Sequence, residues 1–408
     1  MFRVSKFLAE LDAPTPVAPR RNPPGPVVIW NLVRRCNLTC KHCYSISADK
    51  EFPGELNTAQ VFAVMKDLRA ARVPVIILSG GEPLLRPDIF DIAREAKALG
   101  FYTALSTNGT LIDERLADVI EDIDFDYLGI SIDGLRETHD KFRRQDGAFD
   151  LSVNAARLCR DRGIKVGLRF TLTGDNVHDF PALLQMVEDE GIDRFYLSHL
   201  NYAGRGNHNR ATDAHFAMTR DAMTHLFETA LDWRKRSLEK EVTTGNNDAD
   251  GVFMLHWVRE RFPEHAEHIR GKLVQWGGNA SGVNVANIDN LGQVHPDTMW
   301  WHHDLGNVKD RPFGDIWADT TDPLMAGLKQ HPRPVKGRCA ACAHLDICAG
   351  NTRVRAQQVS GDPWREDPGC YLTDEEIGLT APDGERLRVT PFSAHKGGRK
   401  NRSTDHVR

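Results

Sequence analysis

Six short apolar runs, interleaved with helical patterns and each associated with a polar motif, restrict the possible folds of this 408-residue chain more than any other feature. The runs lie at 27–32, 75–78, 102–105, 127–132, 166–172 and 195–200 and are rich in Val, Ile, Leu and aromatic residues without strict alternation. That is the pattern of strands buried on both faces. Helical periodicity fills 58–71, 87–99, 113–120, 149–162 and 178–190, with Thr58 placed to cap the first helix and Gly100, Gly163 and Gly191 placed to end three others. Strands alternating with helices over short loops imply parallel pairing and right-handed crossovers. Six strands are too few for a closed eight-stranded barrel. The expectation is therefore an α/β fold built on a partial, open (β/α)6 TIM-like barrel, with its site at the C-terminal strand ends.

The chemistry-bearing residues fall at those ends. After the first run stand Cys36, Cys40 and Cys43, a C-x-x-x-C-x-x-C pattern followed by Tyr44. Thiolates hold iron–sulfur clusters, and three of them leave one corner of a four-iron cluster for a non-protein ligand. Structural zinc wants a closed set of four, and no fourth thiol lies nearby in sequence. The plain alternative is three buried structural thiols. Gly80, Gly81 and Glu82 follow the second run, and Asn108 follows the third. Ser131 and Asp133 follow the fourth, Arg169 sits inside the fifth, and His199, Leu200, Tyr202 and Arg205 follow the sixth. Asn108, Ser131 and Asp133 could also be turn residues, since each stands close to a glycine. Arg169, inside an apolar strand, needs a ligand or a carboxylate partner.

The remainder of the chain is less regular. Residues 1–25 form a Pro-rich N-terminal arm: Met1 to Leu11 shows a short helical alternation, and prolines at 14, 16, 19, 23, 24 and 26 mark residues 12–26 as extended. Barrel residues would span 26–215, a helical linker 216–280 and a small C-terminal α+β unit 281–380, with 243–250 as a loop and 281–296 as a β-hairpin. The Arg-, Lys- and Ser-rich tail, 381–408, reads as disordered. A second cysteine set, Cys339, Cys342, Cys348 and Cys370, supplies four thiolates for a closed site of zinc or an iron–sulfur cluster. A net charge of −5 gives no invitation to nucleic acid or an anionic membrane. No run approaches the roughly 20 apolar residues of a membrane span, and the N-terminus lacks a signal peptide's apolar core. Cytoplasm is the expected compartment, where eight cysteines point to metal or catalysis rather than disulfides.

Taken together, these motifs resemble the radical S-adenosylmethionine (SAM) enzymes with a SPASM-like C-terminal extension, and most closely those of haem d1 biosynthesis. The resemblance covers nearly all of residues 1–380. It implies a [4Fe–4S] cluster on Cys36, Cys40 and Cys43, and an auxiliary [4Fe–4S] cluster on Cys339, Cys342, Cys348 and Cys370. SAM would chelate the open iron, with Glu82 beside Gly80 and Gly81 at its ammonium and with Ser131 and Arg169 at its carboxylate. Asn108 and Asp133 would reach the ribose, and Tyr44 and Leu200 would flank the adenine. The family's chemistry implies a 5′-deoxyadenosyl radical that starts removal of the propionates of a didecarboxysirohaem-type tetrapyrrole, fed by a low-potential electron donor. Substrate-side candidates are His199, Tyr202, Arg205, Arg210, Trp300, Trp301, Arg353 and Arg355, with His199, His302 or His303 as iron ligands. Rival readings are a tetrapyrrole enzyme of the sirohaem-dependent haem b route, a SPASM peptide-modifying enzyme, and a non-enzymatic electron carrier or iron sensor. Thr352 departs from the extension's pattern where a cysteine is usual, as do Ser281 and Asp297, so one auxiliary cluster is expected rather than two.

Overall fold

A computed structural model describes residues 1–18 and 25–379. The expected disordered tail and Pro19, Pro23 and Pro24 of the arm lie outside the described residues. The six expected strands are β1 (Val27–Asn31), β2 (Val75–Ser79), β3 (Tyr102–Thr107), β4 (Tyr127–Ser131), β5 (Val166–Leu172) and β6 (Arg194–His199), paired in parallel in chain order. Two further parallel strands extend this core. β7 (Glu241–Gly245) adds to β6, and β8 (Val285–Ile288) adds to β1 on the other side. The antiparallel β9 (Gln293–His295) and β10 (Gly306–Asn307) complete the order β10-β9-β8-β1-β2-β3-β4-β5-β6-β7, in which β7 and β8 do not meet. The barrel is therefore open.

Two expectations change, and the helical alternation at the N-terminus is realised. Part of the loop expected at 243–250 is strand β7, whose single strongly apolar residue, Val242, suffices for an edge position. The hairpin expected at 281–296 is present, but its first strand belongs to the main sheet instead of a separate unit. The N-terminal arm contains a helix, α1 (Val4–Asp12), that buries Val4, Phe7, Leu8 and Leu11. Ahead of α1, Phe2 exchanges two 2.8 Å backbone hydrogen bonds with Thr244, which covers the β7 edge that would otherwise invite pairing with another chain.

Five helices fall where periodicity placed them: α2 (Thr58–Ala70), α3 (Ile89–Ala98), α4 (Glu114–Ile123), α6 (Ala148–Asp161) and α7 (Phe180–Asp189), with α5 (Arg136–Arg143) as an addition between α4 and α6. Asn57, not Thr58, caps α2: its Oδ1 accepts from the Gln60 N–H while Gln60 Oε1 accepts from the Asn57 N–H, both at 3.0 Å. Strand residues such as Val28, Trp30, Ile76, Leu78, Leu128, Ile130, Leu168 and Phe170 are fully buried in the core shared with the helices. Their alternates Ile29, Ile77, Ser131, Arg169 and Tyr196 are only partly buried and line the concave face. The strands thus alternate, with an apolar helix-facing side and a more polar concave side.

Candidate active site at the strand ends

The cysteine loop between β1 and α2 is clamped from three directions. Behind it, the Gly81 N–H donates to the Val33 carbonyl (2.6 Å) and the Glu82 N–H to that of Arg35 (2.9 Å), which ties the β2 end to the approach to Cys36. A Cβ on Gly81 would collide with the carbonyl oxygens of Arg34 and Arg35, so only glycine permits this approach. Gly81→Ala should therefore cost about 1–3 kcal/mol of stability, read as a lowered urea midpoint. On a second side, the Lys41 N–H donates to the Phe142 carbonyl at the end of α5 (3.1 Å). On the third, the turn after β6 grips the loop. Gly204, at φ +51°, leaves no room for a Cβ against the Cys43 and Tyr44 carbonyls. Arg205 donates from Nε to the Cys40 carbonyl (2.8 Å) and from an Nη to that of Ser47 (2.9 Å). Expected on the substrate side, Arg205 is instead a strut of the cysteine loop.

Cys36 and Cys40 are buried and Cys43 half-buried. Their sulfurs keep only weak contacts: Cys36 Sγ with the Leu38 N–H (3.4 Å), Cys40 Sγ with an Arg143 Nη (3.5 Å) and Cys43 Sγ with Ser45 Oγ (3.4 Å). Burial pushes the Cys36 thiol up to about 12 and raises Cys40, whereas Arg205 and the Ser45 and Ser47 donors bring Cys43 down despite its burial. Three soft donors held together in a dry loop fit an iron–sulfur cluster.

Arg169 and Ser131 are direct register partners on β5 and β4. The Arg169 guanidinium donates to Ser106 Oγ and lies 5.3 Å from the Tyr196 ring centroid; among the described residues no carboxylate pairs with it. Tyr44, whose hydroxyl accepts from Asn31 Nδ2 (2.8 Å), lies close enough to Arg169 to feel its charge across the concave face. Among the described residues this cation therefore has no anionic counterpart.

Other expected contacts are placed differently. The Glu82 carboxylate is fully buried, raised to about 7 by burial, and accepts from Thr107 Oγ1 (2.7 Å) and the N–H groups of Asn108 (2.8 Å) and Leu84 (3.1 Å). It joins two strand-end motifs rather than facing open space. The Asn108 side chain donates to Asn37 (2.9 Å) and, weakly, to Cys36 Sγ (4.0 Å), and accepts from Thr110. Asp133, expected at the ribose, has no exposed surface: its carboxylate pairs with Arg143 and accepts from the Thr171 N–H (2.8 Å). Leu200 is 2% exposed. His199 meets Asp250 (3.0 Å), which also accepts from the Tyr371 hydroxyl (2.7 Å), and Tyr202 donates to Asp213 (2.9 Å). His199 and Tyr202 line a cavity of about 170 Å³ with Asp213, Arg355 and Gly369.

The other substrate-side candidates divide in the same way. Trp300 is fully buried, Arg353 donates to the Pro363 and Arg365 carbonyls, Arg355 pairs with Asp367, and Arg210 reaches Asn207 and Gln358. His302 contacts Gln357, and His303 contacts Asp322. Trp301 alone of this group approaches the cysteine loop, with its ring 6.0 Å from Tyr44 and stacked on His295 at 6.1 Å.

Burial raises the Cys348 thiol well above its usual range, with smaller contributions from Cys339, Cys342 and Cys370, and Arg338 donates to Cys370 Sγ (3.2 Å). Among the described residues no group of three or more His, Cys, Asp or Glu side chains is drawn together around a single metal ion. Sequence reasoning missed Arg143, which reaches Cys40 from α5, and the placement of His42, a residue of the cysteine loop whose ring lies 3.8 Å from the Asp133 carboxylate. Only the helical placement of the polar 136–143 stretch could have revealed Arg143.

This architecture, an open parallel barrel with three thiols at its first strand end, belongs to one class of enzyme. The Radical SAM superfamily profile matches residues 30–187, and the chain belongs to that superfamily: it is a radical SAM enzyme, a class that uses a [4Fe–4S] cluster and SAM. It is 54% identical to a protein named pre-heme d1 synthase from Dinoroseobacter shibae, over 96% of this chain and 97% of the relative. It is also 43% identical to the Fe-coproporphyrin III synthase of Methanosarcina barkeri, over 86% of this chain and 89% of that one. The crystal structure of Streptococcus suis SuiB bound to its precursor peptide SuiA shares the fold, with a TM-score of 0.68, 16% identity, and coverage of 90% of this chain and 79% of that one.

Proposed function

We propose that Cys36, Cys40 and Cys43 hold the SAM-binding cluster and that Arg169, with Ser131, receives the SAM carboxylate. The unneutralised guanidinium on the concave face, within reach of Tyr44's electrostatic influence, supports that assignment, because a planar cation suits a planar anion. The bound cofactors supply a 5′-deoxyadenosyl radical. The chain's own residues orient SAM and substrate and keep water from them.

The substrate on this reading is a didecarboxysirohaem-type tetrapyrrole (12,18-didecarboxysirohaem) that loses its propionate side chains on the way to a dioxo ring. The 54% identity to pre-heme d1 synthase over nearly the whole chain carries this choice. The 43% identity to Fe-coproporphyrin III synthase favours, as a second reading, trimming of other side chains of the same ring class. Cys339, Cys342, Cys348 and Cys370 hold an auxiliary [4Fe–4S] cluster on this reading, and a low-potential donor supplies electrons. The test is anaerobic turnover with dithionite, SAM and didecarboxysirohaem, with mass analysis of the ring and of 5′-deoxyadenosine. Loss of propionates supports the first reading and loss of other substituents the second. An untouched ring excludes both.

Trp301 and Tyr44 offer aromatic faces beside the cysteine loop, as a flat macrocycle requires. Trp301→Ala should weaken tetrapyrrole binding about tenfold, roughly 1.4 kcal/mol. An absorbance titration would show this, with iron content unchanged.

A further inference from the structure

Beneath the cysteine loop lies a buried charge arrangement that neither the superfamily assignment nor the proposed substrate explains. Arg143 closes α5, and its neighbour Phe142 offers the carbonyl that receives the Lys41 N–H. One Arg143 nitrogen stands 3.5 Å from Cys40 Sγ and the other pairs with Asp133. The two side chains are 8% and 0% exposed, so water screens neither. Asp133 is itself fixed: its Oδ1 accepts from the Thr171 N–H (2.8 Å), its own N–H donates to His139 Nδ1 (3.0 Å), and its carbonyl accepts from Asn176 (3.1 Å). Leaving either charge alone in this setting would be costly, so each holds the other in place.

The geometry is ordered: sulfur, then guanidinium, then carboxylate. A positive charge and an N–H donor at a cluster thiolate stabilise the more negative, reduced cluster and raise its potential. The carboxylate behind it opposes that effect more weakly, because it is farther from the sulfur. We propose that Arg143 is a positioning and tuning residue for the SAM-binding cluster, setting its reduction potential through Cys40, and that Asp133 orients Arg143 and tempers its charge. This rests on the proposed role of Cys40 as a cluster ligand.

The experiment is a redox titration of the reconstituted holoprotein, following the reduced cluster by electron paramagnetic resonance, for the wild type, R143M, R143K and D133N. R143M should lower the midpoint so that the reduced-to-oxidised ratio at a fixed potential falls about tenfold, which is 59 mV for a one-electron couple. R143K should fall between R143M and the wild type. D133N keeps the shape but removes the negative charge, and it should shift the midpoint the opposite way, upward. General damage to the loop would move all variants together. Unchanged midpoints, or R143M and D133N moving in the same direction, would overturn the proposal. If R143M takes up no cluster, R143K and D133N still decide the sign. A protein whose three cysteines bind no cluster at all would refute the underlying assignment, distinguishably, before any shift is measured.

Discussion

Cys36→Ser should abolish reductive cleavage of SAM while leaving the chain folded and still carrying about half of its iron. The thiol is 6% exposed at the start of a loop held by backbone hydrogen bonds to Gly81, Glu82, Phe142 and Arg205. None of those bonds uses the sulfur, so the fold survives the exchange. Three thiolates are the minimum for a four-iron cluster with one open corner, and a hydroxyl is a poor substitute for soft iron ligation. Cys370→Ser is the informative counterpart. It should also remove about half of the iron, yet leave SAM cleavage in place, because Cys370 lies outside the three-cysteine loop proposed to hold the SAM-binding cluster. Iron analysis and quantified 5′-deoxyadenosine distinguish the two. Equal loss of SAM cleavage in both variants would mean that the two sets do not have separate roles.

The largest loss of stability is expected at Arg355. Its guanidinium makes two hydrogen bonds to Asp367, at 2.9 and 2.8 Å, with side chains 1% and 0% exposed. It also donates to the carbonyls of Leu200 (3.2 Å) and Asn246 (2.7 Å), so it fastens the segment before Cys370 to the ends of β6 and β7. Arg355→Ala would strand a carboxylate with no water to solvate it, at a cost of about 3–5 kcal/mol. Replacing both partners, Arg355→Met with Asp367→Leu, should recover most of that loss, because no charge is then left unpaired. Urea unfolding followed by far-UV circular dichroism checks both. A single variant as stable as the double would show that the pair is not what joins the two regions.

The legible part of the sequence was the part governed by apolar patterning. β1 to β6 and their helices follow from short Val- and Ile-rich runs and from glycines such as Gly100, Gly163 and Gly191, which take positive φ where helices stop. β7 escaped because an edge strand buries one face only and needs one strong apolar residue. β8 was visible as half of a hairpin, but its pairing with β1, more than 250 positions away, leaves no local mark. α5 escaped because Arg136–Arg143 is almost wholly polar, and its placement depends on His139, which accepts from the Asp133 N–H, and on Phe142, whose ring meets His42 of the cysteine loop.

The site divides along the same line. The cysteine spacing was legible because it is a local pattern along the chain. The polar motifs do lie at the strand ends, where Glu82, Asp133 and Arg205 also bond to neighbouring segments of the chain. Motif position tells where a side chain starts, whereas its partners are set by tertiary neighbours. The pairing of Asp133 with Arg143 could not be read from the sequence, because it joins a strand end to a helix that the pattern did not reveal.

The most direct measurement is the electron paramagnetic resonance spectrum of dithionite-reduced, anaerobically reconstituted protein, recorded with and without SAM carrying a ¹⁵N-labelled amino group. A cluster left one thiolate short predicts a reduced signal that changes on SAM addition and acquires a coupling to the labelled nitrogen. A reduced spectrum indifferent to SAM would contradict the open iron corner on which the proposed function stands.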